Sequence, residues 1–234
     1  MNVWYAIPTC NAERATPTLA KWSAMGYKTA ALVNDSSPVR ADVVFQVTEY
    51  PGYFTSVNYM AKWLLLEDKD CHIVVTGGDD IDPDPVKTAA QLGAEFFAHF
   101  PTGLGVMQPT GDPMGEGDQG LPRVSERICG SPWFSRAWVE RAYQGTGPFW
   151  HEYRQFFGDE ELLHVTKGPG YLWQRRDVTQ FHHHWLRQGE ASKTTYQCDN
   201  DRYWNADKAL YQRRANSSWP FHKPIQSSLV RREK

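Results

Sequence analysis

The chain has 234 residues, 41% of them hydrophobic, and its 25 Lys plus Arg against 27 Asp plus Glu give a formal net charge of -2. This length suits one globular domain with a sizeable core. The near-neutral charge excludes a global electrostatic field that would draw the protein to nucleic acid or anionic lipid. Residues 201–234 are the exception, with eight basic and three acidic side chains. We therefore expect a main domain over residues 1–200 and a basic C-terminal helix and tail over residues 201–234.

The four cysteines, Cys10, Cys71, Cys129 and Cys198, are far apart and form no C-x-x-C pair. This spacing does not indicate a zinc or dithiol redox centre, so we expect reduced thiols in a cytoplasmic protein. The N-terminus has no basic segment followed by a long apolar one, and no run of about 18 apolar residues occurs later. We expect neither a signal peptide nor a membrane span.

Apolar β-rich runs alternate with helical patterns in the first hundred residues. The predicted strands cover residues 3–7, 29–33, 42–47 and 72–76. The predicted helices run from Thr16-Pro17 to Gly26, over residues 53–66, and from Asp84-Pro85 to about Phe100. This alternation predicts a parallel sheet with helices on both faces.

The second half of the chain has a different pattern. A stretch rich in Gly and Pro over residues 101–123 predicts a long loop around one strand. The elements predicted after it are a strand near 126–130, helices near 133–144 and 150–167, a strand near 177–184 and a helix over 203–214.

Four aspartates follow the buried strand at residues 72–76, in the sequence GGDDIDPD. Ligands of an open parallel sheet bind at the carboxyl ends of its strands. Clustered carboxylates raise one another's pKa unless a cation offsets their charge, and oxygen ligands favour Mg²⁺ or Mn²⁺. The pattern predicts a divalent metal at Asp80 and Asp82, while Asp84 is interpreted as a helix cap.

Seven pieces of the sequence, in this order, resemble one family: IPTCN (7–11), LVNDSS (32–37), Asn58, GGDDIDPD (77–84), ICGSPWFSR (128–136), FGDEELL (157–163) and FHHHW (181–185). They resemble the nucleotide-sugar-dependent glycosyltransferases of the GT-A fold, most like glycosyltransferase family two. The resemblance implies an α/β GT-A (Rossmann-like) fold with a mainly parallel central sheet flanked by helices. It also implies transfer of a sugar from a nucleoside diphosphate sugar, with a UDP-sugar favoured, to an acceptor hydroxyl.

The resemblance also implies which residues bind the donor. The nucleotide-sugar-binding residues would be Pro8, Thr9, Asp35, Asn58, Asp79 and Asp80. The family's DXD motif, which bridges a metal to the diphosphate, matches Asp80-Ile81-Asp82. Asp79-Asp80 is an alternative registration of the motif, and the sequence does not choose between the two.

Histidines could complete the shell of the Mn²⁺ or Mg²⁺ ion, because some relatives of this fold use a C-terminal histidine as a ligand. The candidates are His182 and His184, since strand alternation puts these two on one side and His183 on the other. A histidine with a packing or surface role is the alternative for each position.

An inverting transferase needs a carboxylate base that deprotonates the acceptor hydroxyl. The family places this base in a Glu-Asp pair that opens a helix, and the pair is reversed here as Asp159-Glu160. Glu160 is preferred because it occupies the second position of the pair. The helix dipole also favours acidic residues in a first turn, so a purely structural role is the alternative.

The residues leave the acceptor open. The basic, aromatic tail is compatible with a phage-type enzyme that modifies a hydroxymethylated base in DNA. A saccharide, lipid or protein acceptor is equally compatible. Two other classes stay open: a nucleotidyltransferase, which usually has a Gly-rich basic loop that IPTCNAER lacks, and a non-catalytic sugar or nucleic-acid binding module.

Overall fold

The computed structural model describes residues 1–34, 38–187 and 199–220. The strands in these ranges are β1 (Asn2–Thr9), β2 (Lys28–Val33), β3 (Val43–Gln46), β4 (Cys71–Val75), β5 (Ile81–Asp82), β6 (Val106–Pro109), β7 (Trp133–Ser135), β8 (Leu172–Arg175) and β9 (Phe181–His182). The α-helices are α1 (Ala12–Ala24), α2 (Tyr53–Glu67), α3 (Ala89–His99), α4 (Val124–Arg127), α5 (Arg136–Arg141), α6 (Gly158–Lys167) and α7 (Trp204–Asn216). Short 3-10 helices cover Asp118–Gly120, Ala142–Gly145, Trp185–Arg187 and Asp201–Tyr203.

Seven of these strands form the central sheet, in the order β3-β2-β1-β4-β7-β6-β8, and β5 pairs with β9 in a separate two-stranded ladder. Strands β1 to β4 are parallel, and β7 is antiparallel to both of its neighbours. Because β8 is parallel to β6, six of the seven strands run in one direction. The predicted fold class is confirmed: α/β, with a mainly parallel central sheet flanked by helices.

Strand β1 separates the two halves of the hydrophobic core. Trp4 and Ala6 pack on the face that carries α2, α5 and α6. Val3, Tyr5 and Ile7 pack on the face that carries α1 and α3. Side chains alternate between the two faces of a strand, so one buried run of residues supplies both layers. The expectation of helices on both faces is confirmed.

Helix α1 begins earlier than predicted. Its N-cap is Asn11, whose side chain accepts a hydrogen bond from the backbone N–H of Arg14, and Pro17 lies inside the helix. The predicted start at Thr16-Pro17 is therefore wrong. Asparagine is among the strongest N-cap residues, and here its geometry outweighs the preference of proline for the first helical position.

Helix α3 begins later than predicted. Its N-cap is Thr88, which forms a capping box with Gln91, so the predicted start at Asp84-Pro85 is wrong. Asp84 is not the cap of this helix. Its carboxylate accepts hydrogen bonds from the backbone N–H groups of Val86, Lys87 and Thr179. These bonds attach the loop before α3 to the segment that leads into β9.

In the second half, the order of strand and helix differs from the prediction. The strand predicted near 126–130 is wrong, because helix α4 ends at Arg127 and the residues after it form a loop. The helix predicted near 133–144 begins as strand β7, which pairs between β4 and β6. At its end Ser135 caps α5 by accepting a hydrogen bond from the N–H of Trp138. The segment thus changes from strand to helix within one apolar run.

The other elements of this half agree in part with the prediction. Strand β6 lies inside the Gly- and Pro-rich stretch, as expected, and α6 covers the second half of the helix predicted over 150–167. The strand predicted near 177–184 is present only as the two residues of β9. The helix predicted over 203–214 is confirmed as α7. None of the helices in the described ranges combines the length and the apolar character that a membrane span requires.

Helix α7 is attached to α6 by a buried ion pair. The Arg214 guanidinium contacts both carboxylate oxygens of Glu161, at 2.6 and 2.7 Å, and the Tyr153 hydroxyl donates to the same carboxylate at 2.8 Å. The Arg214 side chain is 5% exposed and that of Glu161 is fully buried. Glu161 therefore has a structural role. The predicted domain division at residue 200 stays a prediction.

We expect Arg214→Ala to lower the free energy of unfolding by about 3–5 kcal/mol, because it leaves the buried Glu161 carboxylate without its counter-charge. Urea unfolding followed by circular dichroism measures the loss. The control is Arg213→Ala, since Arg213 is exposed on the same helix and should contribute less than about 0.5 kcal/mol. Equal losses in the two variants would contradict the structural role of the ion pair.

Candidate active site

The aspartate-rich loop leaves the sheet at the carboxyl end of β4, beside the carboxyl end of β1. Two aromatic side chains fix the loop backbone. The Tyr5 hydroxyl donates to the carbonyl of Gly78 at 2.7 Å, and Trp22 Nε1 donates to the carbonyl of Ile81 at 2.8 Å. The two rings stack on one another with centroids 3.7 Å apart. The loop is thus positioned from the core of the domain.

The Asp79 carboxylate is bound to the start of α1 and the end of β1. It accepts a hydrogen bond from the Thr9 hydroxyl at 2.6 Å and forms an ion pair of 2.5 Å with Arg14. Burial raises the pKa of Asp79, while Arg14 and Thr9 act in the opposite direction. Thr9 and Asp79, which were both predicted to bind the nucleotide sugar, therefore contact each other. Pro8, the third residue predicted at this strand end, is buried beside them.

Asp80 faces His182, a residue that is distant from it in the sequence. Its Oδ1 lies 3.3 Å from Nε2 of His182, because the β5–β9 ladder aligns Ile81 with His182. Burial acts to raise the pKa of Asp80, but the hydrogen bond and charge of His182 and the charges of Arg14 and His184 outweigh it and lower that pKa. The site therefore favours the ionised carboxylate.

Asp82 has a different set of partners. Both of its oxygens lie 2.8 Å from Lys21 Nζ, and Oδ2 lies 2.9 Å from Nε2 of His183. Burial acts to raise its pKa, but Lys21 and His183 outweigh this effect and lower the pKa. Asp80 and Asp82 therefore do not face one common partner. The assignment of Asp82 to the metal stays a prediction.

The histidines divide as strand alternation predicts. The rings of His182 and His184 lie 4.8 Å apart, and the charge of His184 acts on Asp80. His183 lies against Asp82 instead. Asp80, His182 and His184 therefore form one cluster.

This cluster fits a cation that a bound diphosphate completes. Within the described part of the chain, no three His, Cys, Asp or Glu side chains are grouped so that they alone could hold a metal ion. Mg²⁺ sites commonly use one or two carboxylates, and substrate phosphate oxygens and water supply the rest. Asp80 offers one such carboxylate, and the His182 imidazole lies beside it. An added Cβ on Gly78 would lie 2.3 Å from Asp80 Oδ1, so a larger residue there would displace the Asp80 carboxylate.

The acidic pair occupies the first turn of α6. Phe157, just before the helix, has φ 68°, and a Cβ on Gly158 would lie 2.6 Å from the ring of Phe54. This tight turn against α2 fixes where the helix starts. Asp159 and Glu160 follow it directly, and both are half-buried.

The two carboxyl groups of this pair have perturbed pKa values. Burial, followed by the charge of Glu160, raises the pKa of Asp159 to about 6. Burial also raises the pKa of Glu160, and the charge of Arg127 opposes that shift. A carboxylate with a pKa near the working pH is suited to accept a proton from a hydroxyl group. The pKa values of both carboxyl groups are therefore shifted in the direction that suits a base.

A chain of contacts connects the acidic pair with the aspartate loop. The backbone N–H of Cys129 donates to the carbonyl of Asp159, and three residues later the carbonyl of Pro132 accepts from the N–H of Thr76. The hydroxyls of Thr76 and Tyr53 lie 3.3 Å apart. The segment 128–133 thus links the start of α6 to the carboxyl end of β4.

Two other residues predicted to bind the nucleotide sugar are Asn58 and Asp35. Asn58 is buried in α2, where its amide donates to the carbonyl of Phe149 at 2.9 Å and accepts from the N–H of the same residue at 3.0 Å. These two hydrogen bonds hold the Asn58 amide on the backbone of Phe149, and its assignment to the nucleotide sugar stays a prediction. Asp35 lies outside the described residues, so its role stays a prediction.

The sequence interpretation missed four charged residues around the cluster. Arg14 and Lys21 lie seven residues apart on α1, and helical periodicity could have placed both on the face that meets the strand-end aspartates. Asp112 and Arg187 form an ion pair with each other, and both bond to the backbone of His182. They are 75 residues apart and have no local signal in the sequence.

Comparisons with known proteins give fold-level likeness only. No family model matches the chain, and no curated protein matches it. The catalytic domain of Drosophila β1,4-galactosyltransferase 7 in complex with xylobiose matches with a TM-score of 0.49 and 12% identity, over 86% of this chain and 79% of that chain. A mutant of the same Drosophila enzyme, in complex with manganese, UDP-Gal and xylobiose, matches with a TM-score of 0.46 and 10% identity, over 85% and 79% of the two chains.

A further match is a glycosyltransferase involved in the glycosylation of the major capsid of PBCV-1. It has a TM-score of 0.45 and 9% identity, over 78% of this chain and 93% of that chain. All three of these structures are glycosyltransferases. Likeness at this level does not establish a shared activity.

Proposed function

We propose that this protein is a metal-dependent glycosyltransferase that moves a sugar from a nucleoside diphosphate sugar, with a UDP-sugar favoured, to an acceptor hydroxyl. The observation that carries the proposal is the contact between Asp80 and His182 at 3.3 Å. A carboxylate and an imidazole from distant parts of the chain meet at the carboxyl edge of a parallel sheet, which is where such sheets bind ligands. The motif resemblance and the acidic pair on α6 support the same activity.

Asp80 and His182 would hold Mn²⁺ or Mg²⁺, which when bound would offset the negative charge of the departing diphosphate. Arg14 adds a permanent positive charge to the same place. Its guanidinium is fixed by Asp79 and lies 4.0 Å from Asp80 Oδ2. A diphosphate in this position would therefore meet both a cation and a guanidinium group.

Asp159 acts as the base in this proposal. The acceptor O–H bond breaks as its oxygen forms a bond to the anomeric carbon, the proton passes to the Asp159 carboxylate, and the electron pair of the breaking C–O bond leaves with the diphosphate. One displacement of this kind inverts the anomeric configuration. Glu160, which the sequence pattern favoured as base, would instead raise the pKa of Asp159 through its charge.

The acceptor in this proposal carries its hydroxyl on a hydroxymethylated DNA base or on a saccharide, lipid or protein. The test incubates the protein and Mn²⁺ with a panel of nucleotide sugars and all four acceptor classes, followed by mass spectrometry. The proposal predicts that one acceptor gains the mass of one sugar residue and that a nucleoside diphosphate is released. Gain of a nucleotide mass would indicate a nucleotidyltransferase, and donor binding without any product would indicate a binding module.

A further inference from the structure

We infer that Asp112 and Arg187 are positioning residues that hold His182 against Asp80. The inference rests on the proposed function, because it treats His182 as a metal ligand. Asp112 lies in the loop after β6 and is 5% exposed, and Arg187 lies five residues after His182. Neither residue belongs to the cluster of candidate ligands.

The two side chains hold both backbone groups of His182. Asp112 Oδ2 accepts a hydrogen bond from the His182 N–H at 3.0 Å, and Arg187 Nε donates to the His182 carbonyl at 2.9 Å. Arg187 also forms an ion pair with Asp112 Oδ1, which closes a loop of three residues. The Arg187 guanidinium stacks over the ring of Phe181, 4.5 Å from its centroid. Rotation or translation of His182 would break several of these contacts together.

His182 needs such support because its own strand is very short. Strand β9 consists of two residues that pair with two residues of β5, and a two-stranded ladder is at best marginally stable by itself. The distance between His182 and Asp80 therefore depends on contacts outside the ladder. Groups that orient a metal ligand typically contribute 10–100-fold to metal affinity.

Asp84 provides a matched control for a general effect on folding. It is buried like Asp112, with 4% of its surface exposed, and accepts the backbone N–H of Thr179, in the same segment. It also accepts two further N–H groups, so its removal breaks three hydrogen bonds. Asp112 likewise has three donors, which are His182, Arg187 and the N–H of Met114. Of Asp84 and Asp112, only Asp112 contacts His182.

The experiment measures the affinity for Mn²⁺, alone and with UDP, by electron paramagnetic resonance of the free ion, together with Tm. We expect Asp112→Ala to weaken Mn²⁺ binding about 10–100-fold. Asp112→Asn, which keeps an acceptor for the His182 N–H but loses the charge that pairs with Arg187, should weaken it less. Asp84→Ala should lower Tm to a similar extent but weaken Mn²⁺ binding much less, because Asp84 does not contact His182.

Unchanged Mn²⁺ affinity in Asp112→Ala, or an equal loss in Asp84→Ala, would overturn the inference and leave the proposed function standing. Failure of the wild-type protein to bind Mn²⁺ even with UDP would overturn both. Should Asp112→Ala not fold, Arg187→Ala replaces it, because Arg187 is partly exposed and its loss removes the second restraint on His182. A weaker Mn²⁺ affinity in that variant supports the inference, and an unchanged affinity overturns it.

Discussion

Asp159→Asn should lower kcat about 10²–10⁴-fold and leave donor affinity nearly unchanged. The amide keeps the size of the side chain but cannot accept the proton of the acceptor hydroxyl. Burial and the charge of Glu160 raise the pKa of Asp159 to about 6, so the wild-type rate should rise as the pH increases through that value. Below it the carboxyl group is protonated and cannot act as a base. Initial rates measured from pH 5 to 8 test both expectations.

Glu160→Gln is the matched control. It keeps the Asp159 carboxylate and removes the neighbouring negative charge, so the pKa of Asp159 falls and the acid limb of the pH–rate profile moves to lower pH. If Glu160→Gln loses the rate and Asp159→Asn does not, the two residues have the opposite roles. If neither variant loses rate, the base lies outside the pair or the reaction is retaining. The anomeric configuration of the product, read from NMR coupling constants, separates these two explanations.

Asp80→Asn should lower kcat/KM about 10²–10³-fold, because it removes the charged metal ligand and with it part of the several kcal/mol that a metal ion contributes to charge stabilisation in the transition state. Donor binding in the presence of Mn²⁺ should weaken in parallel, since the diphosphate would bind to an ion that Asp80 holds. Isothermal titration of UDP with and without Mn²⁺ measures this effect. The fold should persist, because Asp80 lies in a loop.

Asp82→Asn distinguishes the two aspartates of the D-I-D sequence. Asp82 is paired with Lys21 and His183, away from the contact between Asp80 and His182. Its replacement should therefore cost much less than the replacement of Asp80. A loss as large as that of Asp80→Asn would contradict the assignment, and the metal would then be bound through both carboxylates.

The alternation of strand and helix in the first hundred residues was predictable because it depends on local information. Buried parallel strands such as β2 and β4 are continuous apolar runs, and α2 shows a helical repeat of apolar residues. The second half was less predictable. The apolar run around Trp133 contains both β7 and the start of α5, and only pairing with β4 and β6 makes its first part a strand.

For the candidate site, the sequence indicates which residues are candidates but not which residues they contact. The aspartate cluster, the acidic pair and the histidines stand out locally, because carboxylates behind a buried strand and at a helix start have a physical reason to be there. Their partners come from tertiary structure. The contact between Asp80 and His182 depends on the ladder of β5 with β9, and the distant Asp112 is fixed by its bond to His182. The hydrogen bond of the Asn58 amide likewise depends on Phe149, 91 residues away.

The metal dependence of transfer tests the central claim most directly. The wild-type protein is incubated with its donor and acceptor in EDTA, and then with Mn²⁺ or Mg²⁺ in excess of the chelator, while mass spectrometry follows the glycosylated product. We expect EDTA to abolish transfer and the divalent cation to restore it, because Asp80 and His182 would bind the diphosphate through the ion in the proposed function. Full transfer in EDTA would contradict it.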